Sequence, residues 1–289
     1  MGAGAPAVGA IVVNYNAGDH LVDCVRSLRE AGVGRVVVVD NASTDGSPAR
    51  LRAADPDADV LLVGANLGYG GGVNRGLPRG SEDYVLVLNP DVVVAPDAVN
   101  ALVAALDADP KIGIVGPRIA EVDGELYPSA RAFPRLGDAI GHAFVGLATT
   151  DNPFSRRYLM TDWDHATARD VDWVSGACFL ARRAALTPMG GFDEAYFMYL
   201  EDVDLCWRAG RGGWRVRYEP EAHVTHVQGL STGQAPYRML AAHHRSLLRY
   251  WWRTTPGPGR LLAPVVAAGL ALRLGLMAAK RVLAGTGGR

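Results

Sequence analysis

Cysteine is scarce in this 289-residue chain: Cys24, Cys178 and Cys206 stand far apart, and no Cys-x-x-Cys pair occurs. That argues against a disulfide framework or a thiolate metal site, and predicts buried thiols in a reducing compartment. Lysine is scarcer still, at Lys111 and Lys280. The 29 basic side chains are balanced by 30 acidic ones, so no positive excess exists to neutralise phosphates and no nucleic-acid partner is expected. The N-terminus lacks a basic stretch followed by an apolar one, so no secretory signal is read there. Two phosphate-binding signatures are missing as well. A dinucleotide site wants Gly-x-Gly-x-x-Gly directly after its first strand, and here that turn reads Asn14-Tyr15-Asn16-Ala17-Gly18. The cluster Gly68-Tyr69-Gly70-Gly71-Gly72 falls after the third apolar run and fails the spacing, and no P-loop occurs. Nicotinamide and ATP enzymes lose most of their support.

What the chain does have is apolar bulk, 49% of its residues, enough for one large α/β domain plus an appendage. Short Val- and Ile-rich runs at residues 8–13, 35–39, 60–63, 84–88 and 112–115 alternate with helical patterns. Leu21, Val25 and Leu28 recur at helical spacing after a candidate Asp19 cap; a second helix is expected near Pro96 with Leu102, Val103 and Leu106 inward. Such alternation predicts a mostly parallel sheet covered by helices on both faces. Residues 130–170 read as an irregular, substrate-facing insertion. Beyond them come a strand over 171–180, a helical 181–186, a turn at Gly190-Gly191, a helix over 201–209, and strands at 214–218 and 222–227. Pro256-Gly257-Pro258-Gly259 precedes a last apolar segment. No internal repeat is visible.

Ligands of open α/β sheets sit beyond the carboxyl ends of the strands, and those ends are where this sequence turns polar. Asp40-Asn41-Ala42-Ser43-Thr44-Asp45 after the second run admits two readings: a polar cap and turn, or a carboxylate accepting from the imide N–H of a pyrimidine base flanked by Asn14 and Tyr15. Asn89-Pro90-Asp91 after the fourth run is a common turn, yet an acid on so short a turn is also placed to bind a divalent ion bridging two phosphates.

Taken in order, residues 12–16, 39–47, 66–76, 88–92, 173–177, 190–208 and 226–231 resemble glycosyltransferase family two, which has the GT-A fold. The chain is similar in particular to bacterial rhamnosyltransferases of cell-wall linkers and O-antigens. The resemblance implies an α/β fold with a Rossmann-like sheet in a domain over residues 1–232: a nucleotide-sugar half over about 8–118 and an acceptor half over 119–232. Residues 233–289 would form C-terminal helices at a membrane surface. It implies donor binding by Asn14, Tyr15, Asn16, Asp40, Asn41, Asn66 and Arg75. Asn89 stands where the family's first Asp-x-Asp acid contacts ribose, and Asp91 takes the metal position.

Glu201, Asp202 and Asp204 cluster at a helix start, where the dipole favours acids whatever their role, and Asp204 with Arg208 suits a surface pair. By resemblance Asp202 is the general base and Glu201 orients the acceptor. An inverting transfer needs one carboxylate to take the acceptor's proton; a metal can stabilise the leaving diphosphate without a partner acid. His223 and His226 should face opposite ways on a strand, which disfavours a joint site. His223 reads as structural, and the resemblance makes His226 a ligand of Mn2+ or Mg2+. It also places Trp173, Ser175 and Gly176 beside the acceptor; Phe192-Asp193-Glu194 reads as a structural turn. Residues 261–272 are uncharged but fall short of the ~20 needed to cross a bilayer. With Trp251, Trp252, Arg253, Arg273, Lys280 and Arg281 nearby, they read as an interfacial helix on the inner leaflet, or one packed on the domain or on a second subunit of a homodimer. The resemblance implies a reaction that moves L-rhamnose from its deoxythymidine diphosphate ester to a polyprenyl-diphosphate-linked N-acetylglucosamine. Transfer of galactofuranose from a uridine donor, and a non-catalytic nucleotide-sugar-binding or scaffold role, are the alternatives.

Overall fold

The computed structural model describes residues 7–134, 149, 152–227 and 236–286. Its core is a ten-stranded sheet. Strands β1 (Val8–Asn14), β2 (Arg35–Asp40), β3 (Asp59–Leu62) and β4 (Tyr84–Leu88) are parallel, in the order β3-β2-β1-β4. Each matches an apolar run of the sequence within a residue or two. Alternate side chains of β1 enter different cores: Ala10 and Val12 pack with α1 (His20–Glu30) and α4 (Ala98–Ala108), Ile11 and Val13 with α3 (Gly68–Gly76). A strand buried on both faces in this way needs no polar alternation. Helix α2 (Ser47–Ala54) lies between β2 and β3 in the chain.

Beyond β4 the sheet becomes mixed. β5 (Val92–Val94), β6 (Ile112–Ala120), β7 (Leu126–Tyr127) and β8 (Ala130–Arg131) lead to helix α5 (Pro153–Leu159). β9 (Arg169–Val171), β10 (Trp173–Val174) and β11 (Cys178–Arg182) follow. β11 runs antiparallel between β4 and β6, and β12 (Arg215–His226) pairs parallel with β6 and antiparallel with β5. β8 and β10 form a separate two-stranded sheet. Helices α6 (Arg183–Leu186), α7 (Glu201–Arg211), α8 (Pro236–Thr254) and α9 (Ala263–Thr286) complete the described chain.

Several expectations need correction. The stretch 171–180 is not one strand: Ser175-Gly176-Ala177 interrupts it, because Gly176 N–H donates to a side chain rather than to a ladder. Residues 181 and 182 extend β11, and the helix begins only at Arg183. The strands expected at 214–218 and 222–227 are one, with a register shift between Glu219 and His223. Asp19 does precede α1, but its side chain makes no cap and pairs with Arg50 at 2.8 Å. Asp204 and Arg208 do pair, at 2.7 Å, yet the pair is buried rather than superficial, and Arg253 of α8 shares Asp204 at 3.2 Å. A buried carboxylate needs such company, since removing one partner leaves an uncompensated charge.

Candidate active site

A cavity of about 680 Å³ opens at the carboxyl ends of the parallel strands. Its wall includes Asp91, His226, Glu201 and Asp202, so the strand-tip acid and the helix acids face one space. Tyr15, Asn41, Asn66 and Asn89 on the nucleotide half, and Trp173, Ser175 and Gly176 on the other, also line it.

Four expected donor residues lie elsewhere. Asn14 is fully buried, its Nδ2 donating to Asp40 Oδ1 at 2.7 Å and lying 2.9 Å from Ser47 Oγ and 3.0 Å from Ser43 Oγ. Asp40, in turn, accepts from Ser43 N–H at 3.0 Å with its other oxygen. The two brace the turns after β1 and β2, and neither is part of the cavity wall. Asn16 accepts from Thr44 N–H at 2.7 Å, a third tie between those turns. Arg75 points from the exposed side of α3 toward Glu194, 3.5 Å away.

The β4–β5 turn and the end of β12 bring Asp91 and His226 together. His226 Nε2 lies 3.1 Å from Asp91 Oδ1 and 3.3 Å from Asn89 Nδ2, while Nδ1 has no hydrogen-bond partner among the described residues. An imidazole lone pair aimed at a carboxylate is reconciled by a proton on Nε2 or by a cation between them. The 3.1 Å span fits an N–H···O hydrogen bond and also fits two ligands of one cation, because donors about 2.1 Å from a cation and at right angles sit about 3 Å apart. No group of three or more His, Cys, Asp or Glu side chains fit for a metal occurs among the described residues, so other ligands would come from a diphosphate or water. His223, on the outer side of β12, is exposed and takes no part.

Helix α7 presents the acids from a strained approach. Tyr199 and Leu200 both adopt left-handed backbone (φ +67° and +63°) without being glycine, at about 1–3 kcal/mol each. Surrounding bonds hold them there: Ser246 Oγ of α8 donates to Met198 O at 2.9 Å, and the Tyr199 ring meets His243 at 5.1 Å. Asp202 accepts from Gly176 N–H and from Val203 N–H, both at 2.8 Å. A Cβ on Gly68 (φ +77°) would run into the Phe197 carbonyl oxygen, so that approach requires glycine, while one on Gly176 would sit 3.3 Å from the Asp202 side chain and press on it.

The two acids are held differently. Burial raises both carboxyls above their ordinary range, Glu201 well above it, and the neighbouring Asp202 adds to the rise at Glu201. Two backbone N–H bonds and the Arg131 guanidinium work against that rise at Asp202, whereas Glu201 Oε2 has no partner among the described residues. Of these two neighbouring carboxyls, Glu201 is therefore the harder to ionise and Asp202 the easier.

Sequence reasoning missed Arg131, Tyr69, Tyr127, Tyr158, Arg238, Met239 and His243, all in the cavity wall. Arg131 lies 5.3 Å, 5.8 Å and 5.2 Å from the rings of Tyr127, Tyr158 and Trp173. Trp173 is itself buried, its indole N–H donating to Ala132 O at 2.9 Å. Tyr69 donates its hydroxyl to Gly176 O. Of the expected insertion, residues 135–148, 150 and 151 lie outside the described ones; what is described, β8 and α5, supplies Arg131 and Tyr158. Phe192-Asp193-Glu194 is structural, as expected: Phe192 is buried against Tyr69, and Asp193 binds Arg249 at 2.8 Å and Arg253.

A covered, mostly parallel sheet whose strand ends bring an acid and an imidazole into one cavity with two helix carboxylates is the setting in which the comparisons place a glycosyltransferase. Residues 6–249 match the family described as "Glycosyltransferase like family 2", and the chain belongs to that family. It is 41% identical over 263 residues to N-acetylglucosaminyl-diphospho-decaprenol L-rhamnosyltransferase of Mycobacterium tuberculosis, covering 84% of this chain and 85% of that one. Rhamnosyltransferase WbbL of Escherichia coli is 29% identical over 170 residues, 58% of this chain and 61% of the relative. Among solved structures, a Pyrobaculum calidifontis mannosyltransferase in complex with GDP-Man and Mn2+ superposes with a TM-score of 0.57 at 20% identity, covering 98% of this chain and 79% of that one. S. aureus TarS 1-349 in complex with UDP-GlcNAc gives 0.58 at 16% identity, covering 92% and 72%. These likenesses establish the GT-A fold.

Proposed function

We propose that this glycosyltransferase transfers L-rhamnose from a deoxythymidine diphosphate donor to N-acetylglucosamine carried on a polyprenyl diphosphate, with inversion, in cell-wall assembly. The identity to the mycobacterial L-rhamnosyltransferase over most of both chains supports this choice of substrates over a uridine-linked galactofuranose. The single observation that carries the mechanism is the shared cavity of Asp91 and Asp202, which also disfavours a mere binding or scaffold role.

Asp202, ionised and fixed by Gly176 N–H, takes the proton of the acceptor hydroxyl as that oxygen attacks the anomeric carbon. Glu201, kept neutral by burial and by Asp202, is left to donate a hydrogen bond to the acceptor sugar. Asp91 and His226 would hold a divalent ion, Mn2+ or Mg2+, which supplies charge neutralisation for the departing diphosphate. Tyr15, Asn41, Asn66 and Asn89 line the donor side. With Mn2+ present, incubating dTDP-L-rhamnose and a short polyprenyl-diphosphate N-acetylglucosamine should yield dTDP and a disaccharide lipid. Turnover only with another nucleotide sugar would overturn the rhamnosyl reading, and donor binding without turnover would favour the scaffold.

A lipid-borne acceptor calls for a place at the cytoplasmic face of the membrane. Residues Gly257–Ala279 are long and apolar enough to cross a bilayer by length and composition, and none of that window is buried. This revises the estimate from the twelve uncharged residues, because a helix tolerates Arg273 within a longer apolar stretch. Leu261 is 82% exposed and Val265 69% exposed, apolar surface that a lipid would cover. Arg273 Nη1 lies 3.4 Å from His244 Nε2 of α8, which keeps that charge beside the domain and favours attachment over insertion. Truncation from Gly259 should move the protein from the membrane pellet to the soluble fraction; a truncated chain still in the pellet would place the attachment elsewhere. A homodimer gains no support from these observations.

A further inference from the structure

The cavity wall carries two guanidinium groups of opposite character. Arg131 is committed: three aromatic rings surround it, its Nε donates to Pro128 O at 2.6 Å, and it faces Asp202. Arg238 is exposed, and no carboxylate among the described residues pairs with it. It stands on α8 five residues before His243, which also lines the cavity, so the two are about 7.5 Å apart along the helix axis. His243 in turn packs on Tyr199, which the chain joins through Leu200 to Glu201 and Asp202.

His243, which meets the helix acids through Tyr199, and Arg238, a step further along α8, thus mark a path along the cavity wall, the step between them comparable in length to one hexose ring and its glycosidic oxygen. The other side of α8 meets α9, where His244 touches Arg273. One helix thus separates the cavity from the apolar, exposed α9. Asp91 and His226 occupy the wall built from the β4–β5 turn and β12, where the donor's diphosphate belongs.

Resting on the acceptor reading above, we propose that Arg238 is the subsite for the acceptor's own diphosphate. It holds that group while the sugar reaches Asp202 and the isoprenoid chain runs toward α9. A dianion between a buried sugar site and a lipid surface needs a cation at that height, and Arg238 is the uncommitted one in the described wall.

The test uses the full chain with Arg238→Gln and Arg238→Lys. The Gln variant should raise KM for the polyprenyl-diphosphate acceptor about tenfold or more, with partial recovery in the Lys variant. Donor KM, and kcat at saturating acceptor, should change by less than about twofold. Sugar-free polyprenyl diphosphate should inhibit the wild type competitively against the acceptor, and the Gln variant should need about tenfold more of it; inhibition by the phosphate-free polyprenol should be the same in both. An unchanged acceptor KM, equal weakening toward polyprenol, or a rise in donor KM instead would each overturn the subsite. A wild type that ignores the diphosphate acceptor altogether would overturn the acceptor reading, and the subsite with it.

Discussion

Replacing Asp202 by asparagine should lower kcat by about 10²–10⁴-fold, the usual worth of a positioned general base. Donor affinity should stay within about threefold, because the base acts only in the chemical step. The amide is close in shape and can still accept from Gly176 N–H but not also from Val203 N–H, so the variant's melting temperature, read beside kcat, separates lost chemistry from lost folding. The pH profile offers a second check. The Asp202 carboxyl is raised by burial, and a base works only when ionised, so kcat/KM should climb with pH through a limb above the ordinary carboxylate range. That limb should vanish in the variant. Linkage gives the stability trend the same window: a carboxyl raised on folding contributes stability that is fully present below its unfolded pKa. That stability is lost as pH rises through the raised value. Comparable loss of donor binding in Asp202→Asn would make Asp202 a ligand-site residue instead.

Asp91→Ala should act on the other half of the reaction. Without its carboxylate, His226 keeps no anionic neighbour in the 3.1 Å pair, and a divalent ion would lose one of its two protein ligands. Transfer should fall by about 10²–10³-fold, and the extra thermal stabilisation that Mn2+ gives in the presence of dTDP should disappear. The second readout is independent of turnover. A manganese-dependent shift that survives Asp91→Ala would remove this pair from the metal site. Asp202→Asn should keep that shift, so the two variants separate leaving-group chemistry from proton removal.

Much of this was legible in the sequence because the relevant physics is local. β1 to β4 are apolar runs bounded by polar turns, and a sheet buried on both faces writes itself as such runs. Asp91 and Asp202 were legible through motif company. Asn14 and Asp40 were not, as a polar strand tip can turn into the protein as readily as toward a ligand. Their mutual 2.7 Å bond depends on the spacing of β1 and β2, which no local pattern records. Arg131 and Tyr158 come from the weakly periodic stretch, and Arg238 and His243 from beyond the boundary drawn at residue 232. What makes these residues part of the cavity is how α8 packs against the loop at residues 196–200. A helix read only as a membrane appendage gave no hint of that.

The antiparallel entry of β11 beside β4 has a consequence for diversification. Asn89 N–H donates to Ala177 O at 2.9 Å, and the next residue back, Gly176, grips Asp202. The turn bearing Asp91 and the clamp on the base are therefore stitched across one seam. Chimeras that graft a foreign acceptor module onto this donor module would have to splice upstream of Trp173 and carry the whole 173–204 stretch as a unit. A crossover inside it would mismatch the stitch and disable both ends of the reaction at once.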